Sequence, residues 1–450
     1  MITKIEVDGF KSLADFQLKL NSGLNILVGP NGAGKTNIIL FFEFLSQLVK
    51  SPIAKAVSSV GGAGTIFKKI GPESYQDNIK FKIYGCHRES SKKFIVYEYD
   101  AIVKTSFEKD ILYFSRQNIK IRTASKFWAD PDAKFYTSAW DLDITYDNKE
   151  AKNEALKITS LDRRKFKGRF FLPEKGSKSN FLKSIEEFAI GQNPSSKPII
   201  YCLFPFFEIS QGIMSDLIGG ETFNVIPSKV KETEDAATPA EIKRDGSGLS
   251  TTLYAMKKSK PRAQLERRIY FGYDRPERTF KPQTLEKVKS YLRLANNTIS
   301  DLDIENDPFD NKLVVKISIE TGDYSAVLPL SAMSDGTIKW LSLTTAILTS
   351  KTIFSIEEPE NFLHPWMQAE IAQIMRDHIS EKKSESFVLM TTHSESLLNS
   401  SKPEEVIIVD LVDGKTSARR IENIQLIRDE ISNSGFGLGH FYFSNSIQHA

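Results

Sequence analysis

The chain has 450 residues, of which 40% are hydrophobic and 26% charged, and 60 Lys and Arg against 57 Asp and Glu give a formal net charge of +3. This composition excludes global disorder and a small disulfide-stabilised fold, because apolar material is ample and only Cys86 and Cys202 are present. The two cysteines, the lack of a signal-peptide pattern and the lack of a long apolar run predict a cytoplasmic protein without a membrane span. The net charge alone does not indicate a nucleic-acid-binding protein.

The first part of the chain predicts an antiparallel sheet and one buried helix. Strands are predicted where apolar residues alternate between turn signals, over 2–7, 15–20, 24–28, 78–85 and 93–103. A glycine-rich loop follows the third of these strands. Residues 35–49, directly after the loop, are apolar nearly all round and predict a buried helix.

The remainder predicts an inserted lobe followed by a regular α/β segment. The pattern is weak over 104–245, which ends in a polar connector at 227–248. Beyond it, helices are predicted over 249–258, 285–296, 334–350 and 365–381, strands over 312–320, 352–357 and 386–392, and a hairpin over 406–421. The strands and helices alternate in the final 120 residues, which favours a parallel α/β sheet. We therefore predict an α/β fold with a mixed sheet, helices on both faces and an antiparallel β subdomain, divided into 1–103, an inserted α/β lobe at 104–245, and 246–450.

Residues 29–36 match the phosphate-loop pattern G-x-x-x-x-G-K-[ST], after a predicted strand and at the start of a predicted helix. Glycines let backbone N–H groups surround a phosphate, and the helix N-terminus adds a favourable dipole. Lys35 would neutralise phosphate oxygens, and Thr36 would offer a hydroxyl to Mg²⁺. A glycine-rich turn without a ligand is the alternative. The predicted nucleotide-binding residues here are Gly29, Pro30, Asn31, Gly32, Ala33, Gly34, Lys35, Thr36 and Asn37.

Two carboxylates and one histidine follow apolar strands in the C-terminal part. Glu357 and Glu358 end one strand, where an NTPase needs one carboxylate near the metal and one to polarise the attacking water. His393 follows the next strand, from which an imidazole could reach the same water. A charged strand end and a capping histidine are the alternatives.

A short polar segment precedes the helix predicted over 334–350. Ser334 and Asp335 are favourable N-cap residues, and a serine hydroxyl with the N–H of Gly336 can bind an anion at a helix start. Alone, Ser334 to Thr337 is a helix cap. Between the phosphate loop and the acidic strand, and about 20 residues before Glu357, it resembles the signature motif of ATP-binding cassette ATPases.

Together these segments resemble the RecF, SMC and OLD-like branch of the ABC ATPases, specifically the stand-alone bacterial AAA-type ATPases common in phage-defence operons. The match lies, in family order, at 9–13, 29–36, 245–253, 334–337, 356–365 and 391–394. The resemblance implies a P-loop ABC-type ATPase head that uses ATP and Mg²⁺. It places Glu357 at the Walker B position, Glu358 at the catalytic position and His393 at the switch histidine.

The resemblance also implies a homodimer with ATP between two heads, or a higher oligomer. Ser334, Asp335, Gly336 and Thr337 would then contact the nucleotide of the second protomer, and residues 360–364 would cross between the two sites. Lys11 would approach the nucleotide, and Gln76 would be the glutamine-loop residue near the metal. The motif Ser-Asp-Gly and the absence of a membrane-coupling segment argue against a transporter subunit.

Three functions are compatible with such a head. The first is an ATP-driven switch in antiviral defence that controls a separately encoded effector, since neither an effector domain nor a coiled-coil arm is predicted. The second is a RecF-type ATPase of DNA repair or recombination that clamps a duplex. The third is a scaffold that hydrolyses ATP slowly and whose output is assembly.

Two basic clusters bear on the second function. Residues 157–183 hold nine Lys and Arg against two acidic residues, a net +7, and residues 257–281 hold nine against three, a net +6. Such clusters could contact nucleic-acid phosphates in a salt-dependent manner. A solvated charged face or a docking surface for an acidic partner is the alternative.

Overall fold

The computed structural model describes the chain apart from residues 91–92, 108, 126–139, 150–152, 163–177, 204–208, 219, 260–279, 282, 351–353, 382–385 and 445–450. Most of both basic clusters lies outside the described residues, so their role stays a prediction. In the described part, no helix is both long and apolar enough to cross a membrane.

The strands are β1 (Ile2–Asp8), β2 (Phe16–Lys19), β3 (Gly23–Val28), β4 (Asn78–Ser90), β5 (Lys93–Ser106), β6 (Ile111–Ala124), β7 (Leu142–Lys149), β8 (Asn153–Leu161), β9 (Glu221–Phe223), β10 (Ile299–Asp307), β11 (Lys312–Thr321), β12 (Tyr324–Pro329), β13 (Phe354–Glu357), β14 (Phe387–Thr392), β15 (Val406–Val412) and β16 (Lys415–Arg420). The helices are α1 (Lys35–Lys50), α2 (Ile53–Ser59), α3 (Ala63–Ile66), α4 (Lys178–Gly191), α5 (Ile199–Cys202), α6 (Ile209–Ile218), α7 (Pro227–Val230), α8 (Leu249–Lys258), α9 (Gln283–Ala295), α10 (Asp335–Thr349), α11 (Pro365–Ser380), α12 (Glu395–Asn399), α13 (Ile424–Ser434) and α14 (Leu438–Phe443).

A six-stranded sheet lies at the centre, in the order β16-β15-β3-β14-β13-β9. The pairs from β15 to β9 are parallel, and β16 adds an antiparallel edge. Leu24 and Ile26 of β3 join one hydrophobic cluster with α10 and α11, whereas Leu27 joins another with α1. A parallel sheet needs such cover on both faces, and its central strands are therefore mostly apolar and buried. The predicted α/β fold is confirmed.

The register of this sheet brings the predicted site segments to one end. Val28 of β3 pairs with Thr392 of β14, and Thr391 pairs with Glu357 of β13. Because these strands are parallel, the segments that follow them leave the sheet at the same edge. The phosphate loop, the acidic pair and His393 therefore start side by side.

A seven-stranded antiparallel sheet packs over α1 in the order β2-β1-β4-β5-β6-β7-β8. Strands β6 to β8 come from the segment predicted as an inserted lobe and extend the sheet that begins at β1. From the same segment, β9 pairs with β13 in the central sheet. The first two predicted segments thus share a sheet, and the division at 103 and 245 stays a prediction.

A three-stranded antiparallel sheet, β10-β11-β12, leads into α10. Its buried residues, such as Leu302 and Val315, pack in the same cluster as α8, α9 and α10. The Ser334 hydroxyl accepts a hydrogen bond from the Thr337 N–H over 3.3 Å at the start of α10. This confirms the predicted N-cap at Ser334.

A buried ion pair ties the start of β1 to α6. The N-terminal ammonium of Met1 lies 2.9 Å from Asp216 Oδ2, and the Tyr97 hydroxyl donates to the same oxygen over 3.1 Å. His87 Nδ1 lies 3.4 Å from Asp216 Oδ1. Burial alone would raise the pKa of the Asp216 carboxyl, but the Met1 ammonium and His87 outweigh burial and lower it below its ordinary value.

We expect Asp216→Asn to lower the free energy of unfolding by about 3–5 kcal/mol at neutral pH, because the Met1 ammonium loses its buried counter-ion. Since the folded pKa is lowered, this stability is present above the unfolded carboxyl pKa of about 3.9 and is lost as the pH falls through the folded value. Urea denaturation at about pH 7 and about pH 3 should therefore show a smaller difference at the lower pH. The matched control is Asp310→Asn on an exposed turn, and an equal loss in both variants would contradict the prediction.

Candidate functional site

The phosphate loop joins β3 to α1 through backbone conformations that favour glycine. Gly32 has φ +82° and Gly34, the residue before α1, has φ +101°. A Cβ on Gly34 would lie 1.9 Å from Thr416 Oγ1, and one on Gly29 would lie 2.0 Å from the Val409 carbonyl oxygen. The loop is thus held closely against β15 and β16, and it has no room for side chains at these two glycines.

Lys35 lies inside this loop. Its Nζ donates to the carbonyl oxygens of Gly29 and Pro30 over 2.8 and 3.0 Å. Burial lowers the pKa of the Lys35 ammonium, and Glu358 and Glu360 partly offset that effect. The ammonium therefore belongs electrostatically to the same site as the carboxylates that follow β13. Thr36, the next residue, is exposed.

A small polar network supports the loop from behind. Thr416 Oγ1 donates to the Ala33 carbonyl oxygen over 3.0 Å and lies 2.6 Å from Ser12 Oγ. The Asn37 amide donates to the same Ser12 oxygen over 2.7 Å. The structure thus directs the Asn37 side chain to this network, and its predicted contact with ATP stays a prediction. Lys11 has φ +50° and donates its backbone N–H to the Ile66 carbonyl oxygen over 2.8 Å.

Glu357 at the end of β13 is paired with a residue that sequence analysis did not select. Glu357 is 6% exposed, and Arg244 Nη2 donates to its Oε1 over 2.5 Å. The other arm of the guanidinium, Nη1, donates to Glu43 Oε2 on α1 over 3.0 Å. Burial raises the pKa of the Glu43 carboxyl, and Arg244 partly offsets this. One signal was in the sequence, since Arg244 immediately precedes the matched segment 245–253.

Glu358 adopts a left-handed backbone, with φ +43°. Its N–H donates to the Thr391 carbonyl oxygen over 3.1 Å. Its Oε2 accepts from the Asn361 amide over 3.0 Å, and its Oε1 lies 3.9 Å from His393 Nε2. A positive φ is uncommon for residues other than glycine, and such backbone conformations cluster at functional sites. The two residues predicted to act on the attacking water thus lie next to each other.

Glu360 holds the segment after β14 in place. Its Oε1 accepts hydrogen bonds from the His393 N–H over 2.6 Å and from the Thr392 hydroxyl over 2.9 Å. Lys339 of α10 is buried and donates to the Val225 carbonyl oxygen over 3.1 Å. Burial lowers the pKa of the Lys339 ammonium to about 8, although Glu360 and Glu358 partly offset it.

The predicted signature segment contacts the loop after β13. A Cβ on Gly336 would lie 2.8 Å from the Phe362 carbonyl oxygen, and the Phe362 side chain is 62% exposed. Asp335 Oδ1 accepts from Lys231 Nζ over 2.8 Å. Among the described residues, the Ser334 hydroxyl bonds only to Thr337, so it has no link to the phosphate loop of its own chain.

Gln76 lies two residues before β4. Its amide donates to Asp8 Oδ2 over 3.2 Å, and it packs close to Gly9. The structure therefore does not join it by hydrogen bond to Thr36 or Glu357, and its predicted place near the metal stays a prediction.

The donors at the site suit Mg²⁺ only together with a phosphate. Where the chain is described, no three His, Cys, Asp or Glu side chains converge into a metal-binding group. Proteins usually bind Mg²⁺ through one or two carboxylates plus substrate phosphates. Thr36 and Glu357, beside a glycine cradle that would exclude side chains, fit that arrangement.

A glycine-rich loop at a helix start, with an acidic pair and a histidine on the neighbouring parallel strands, defines a P-loop nucleotide-binding site of the ABC type. A family model described as AAA ATPase domain matches residues 1–398, and the chain belongs to this family.

Several characterised proteins are similar to the chain. It is 34% identical over 58 residues to the DNA replication and repair protein RecF of Shewanella loihica, covering 12% of this chain and 16% of RecF. It is 30% identical over 169 residues to the chromosome partition protein Smc of Aquifex aeolicus, covering 36% of this chain and 13% of Smc. It is 21% identical over 402 residues to an ATP/GTP phosphatase of Helicobacter pylori, covering 88% and 86%. The matches thus span less than one fifth of the RecF and Smc proteins.

Solved SMC heads are also similar to the chain. An SMC head bound to the C-winged helix domain of ScpA has a TM-score of 0.48 at 14% identity, covering 94% of this chain and 99% of that one. The SMC head domain from Thermotoga maritima has a TM-score of 0.40 at 10% identity, with the same coverage of 94% and 99%. The family match and the sequence relatives confirm the prediction of an ABC-type ATPase of the RecF and SMC branch.

Proposed function

We propose that this chain binds ATP with Mg²⁺ and hydrolyses it. The observation that carries the proposal is the register of the central sheet, which starts the phosphate loop, the acidic pair and His393 at one edge. Lys35 would bind phosphate oxygens there, and Glu358 would orient and deprotonate the attacking water. When bound, Mg²⁺ supplies positive charge against the phosphate oxygens, with Thr36 and Glu357 as the residues that hold it.

The surroundings of Glu358 support its role. The Asn361 amide donates to the Glu358 carboxylate, and the Thr391 carbonyl oxygen accepts from the Glu358 backbone N–H, so both the side chain and the backbone of Glu358 are held. His393 Nε2 lies 3.9 Å from it, and the His393 backbone is held in turn by Glu360. A base held by neighbours in this way would need little reorganisation when the water attacks the γ-phosphate.

We further propose that two copies form the complete site head to tail. Ser334 and the Gly336 N–H lie at the N-terminus of α10, a 15-residue helix whose dipole favours an anion. Since the Ser334 hydroxyl has no bond to its own phosphate loop, a γ-phosphate bound by a second copy is its fitting partner. Phe362, whose backbone carbonyl oxygen lies close to Gly336, is 62% exposed and would supply apolar area for such a contact.

We expect Ser334→Arg to block ATP-dependent association and hydrolysis while leaving ATP binding by a single protomer. The arginine would fill the space of the partner's phosphate, and loss of the N-cap would cost only about 1 kcal/mol of stability. Light scattering with and without ATP, together with phosphate release, measures the effect. Ser432→Arg, at an exposed position of α13, is the matched control. Hydrolysis that persists in the Ser334 variant would rule out the composite site.

The proposed output is a switch in antiviral defence, in which ATP-driven association holds or releases a separately encoded effector. It is supported by the resemblance of the ordered motifs to the stand-alone ATPases of such systems. A second candidate, a clamp on DNA, is favoured by the RecF and Smc relatives, which are a DNA replication and repair protein and a chromosome partition protein. A slow scaffold would show ATP-dependent association with turnover too slow to measure.

A pull-down with the Glu358→Gln variant and ATP, from host cells, separates these candidates. A stoichiometric effector protein, such as a nuclease or toxin, would support the switch. DNA alone, released by raising the salt concentration, would support the clamp. Ser334→Arg serves as the bait control, since it should bind ATP without associating.

A further inference from the structure

Arg244 lies between a buried carboxylate and a half-buried carboxylate from different parts of the chain. Its guanidinium donates through Nη2 to Glu357 at the end of β13 and through Nη1 to Glu43 on α1. The side chains of Glu357 and Glu43 are 8% and 19% exposed, so water screens them little. Without a cation between them, these like charges would repel each other, and the Glu357 carboxylate would be free to turn.

The backbone around Arg244 is fixed to the central sheet. Its carbonyl oxygen accepts from the Asn224 N–H over 2.7 Å, and the next carbonyl, of Asp245, accepts from the Ile226 N–H over 2.9 Å. These partners directly follow β9, which pairs in parallel with β13. Arg244 is therefore held beside the segment that follows β9, the strand next to β13.

The matched segment 245–253 makes the turn that directs Arg244. Asp245 Oδ1 accepts from the Ser247 N–H over 3.0 Å and from the Ser247 hydroxyl over 2.7 Å. Glu234 then caps the start of α8, accepting from the N–H groups of Gly248 and Thr251 over 2.5 and 2.8 Å. Among the described residues, no side chain of this segment forms a hydrogen bond with the phosphate loop. The bonds that it does form hold the backbone next to Arg244.

We propose that Arg244 is a positioning residue for Glu357. It holds Oε1 of the carboxylate, offsets the charge of Glu43, and leaves the second oxygen, Oε2, for the hydration shell of Mg²⁺. Arginine suits this task because its planar guanidinium can donate to two carboxylates at once in a fixed geometry, which the single ammonium of lysine cannot do. The inference rests on the proposed function, since it assigns Arg244 to the same site.

The test is a Mg²⁺ titration of ATP binding in the Glu358→Gln background, where turnover is suppressed. Arg244→Ala should raise the Mg²⁺ concentration for half-maximal binding by about 10- to 100-fold, the usual effect of removing a partner that orients a metal-site group. Arg244→Lys should need a Mg²⁺ concentration between those of the wild-type residue and Arg244→Ala. The double variant Arg244→Ala with Glu43→Gln should need less Mg²⁺ than Arg244→Ala alone, because the repelling charge of Glu43 is gone. Lys229→Ala, which removes an exposed cation paired with Glu232, is the matched control.

The outcomes separate the inference from the proposed function. A shift for Arg244→Ala that Glu43→Gln partly reverses supports the positioning role, which a general loss of packing would not reproduce. An Arg244→Ala chain that titrates like Lys229→Ala overturns the inference, and if that variant does not fold, an Arg244→Lys chain with wild-type titration overturns it equally. A wild-type chain that binds ATP without hydrolysing it contradicts the proposed function alone, and the Mg²⁺ titration still decides on Arg244. A chain that binds no ATP overturns both.

Discussion

Replacing Glu358 with Gln is expected to lower ATP hydrolysis by about 10²- to 10⁴-fold, the range of a lost general base, while ATP binding is kept. Glutamine preserves the shape of the side chain and the contact with Asn361. It cannot take a proton from water, so ATP should persist between two heads. We therefore expect the variant to accumulate as an ATP-bound dimer, measured by light scattering of the nucleotide complex and by phosphate release.

The control for this variant is Glu422→Gln, which makes the same change of charge at an exposed position. It should hydrolyse ATP like the wild type and associate only transiently. Unchanged hydrolysis in Glu358→Gln would refute the assignment of Glu358. Lost hydrolysis without a trapped dimer would leave Glu358 as the base and contradict the sandwiched arrangement.

Lys35→Ala is expected to weaken ATP binding by about 10- to 100-fold, because hydrogen bonds between a charged group and phosphate oxygens contribute about 1.5–3 kcal/mol. The change also removes the hydrogen bonds to the carbonyl oxygens of Gly29 and Pro30, which hold the loop closed. Isothermal titration with ATP and Mg²⁺ measures the loss, and thermal unfolding without nucleotide checks that the chain is folded.

Lys55→Ala, an exposed lysine of α2, is the matched control for charge. It should bind ATP with wild-type affinity. Equal affinities in all three chains would show that the phosphate loop does not bind the nucleotide. That result would remove the basis of the proposed function.

The sequence by itself was enough to predict the class of protein and the main site segments. A phosphate loop is a local feature, because its glycines, its lysine and the following helix are contiguous and each is required by the backbone geometry. The apolar strand before Glu357 and the N-cap at Ser334 are local in the same sense, since the pattern of apolar residues and the N-cap hydrogen bond each involve only a few neighbouring residues. For that reason these segments could be found in the sequence, and the predicted helix over 35–49 agrees with α1.

The tertiary structure decided what distant segments do to one another. Arg244 meets Glu357 across 113 positions, and Thr416 meets Ala33 across 383, and neither pairing leaves a periodic or spacing signal. Strands β6 to β8 extend the sheet that begins with β1. An edge strand can pair with any segment that offers a matching register, and which segment does so depends on non-local packing. A hydrogen bond between residues far apart depends on the fold that brings them together, and so the sequence determined the chemistry available while the tertiary structure decided which groups share a site.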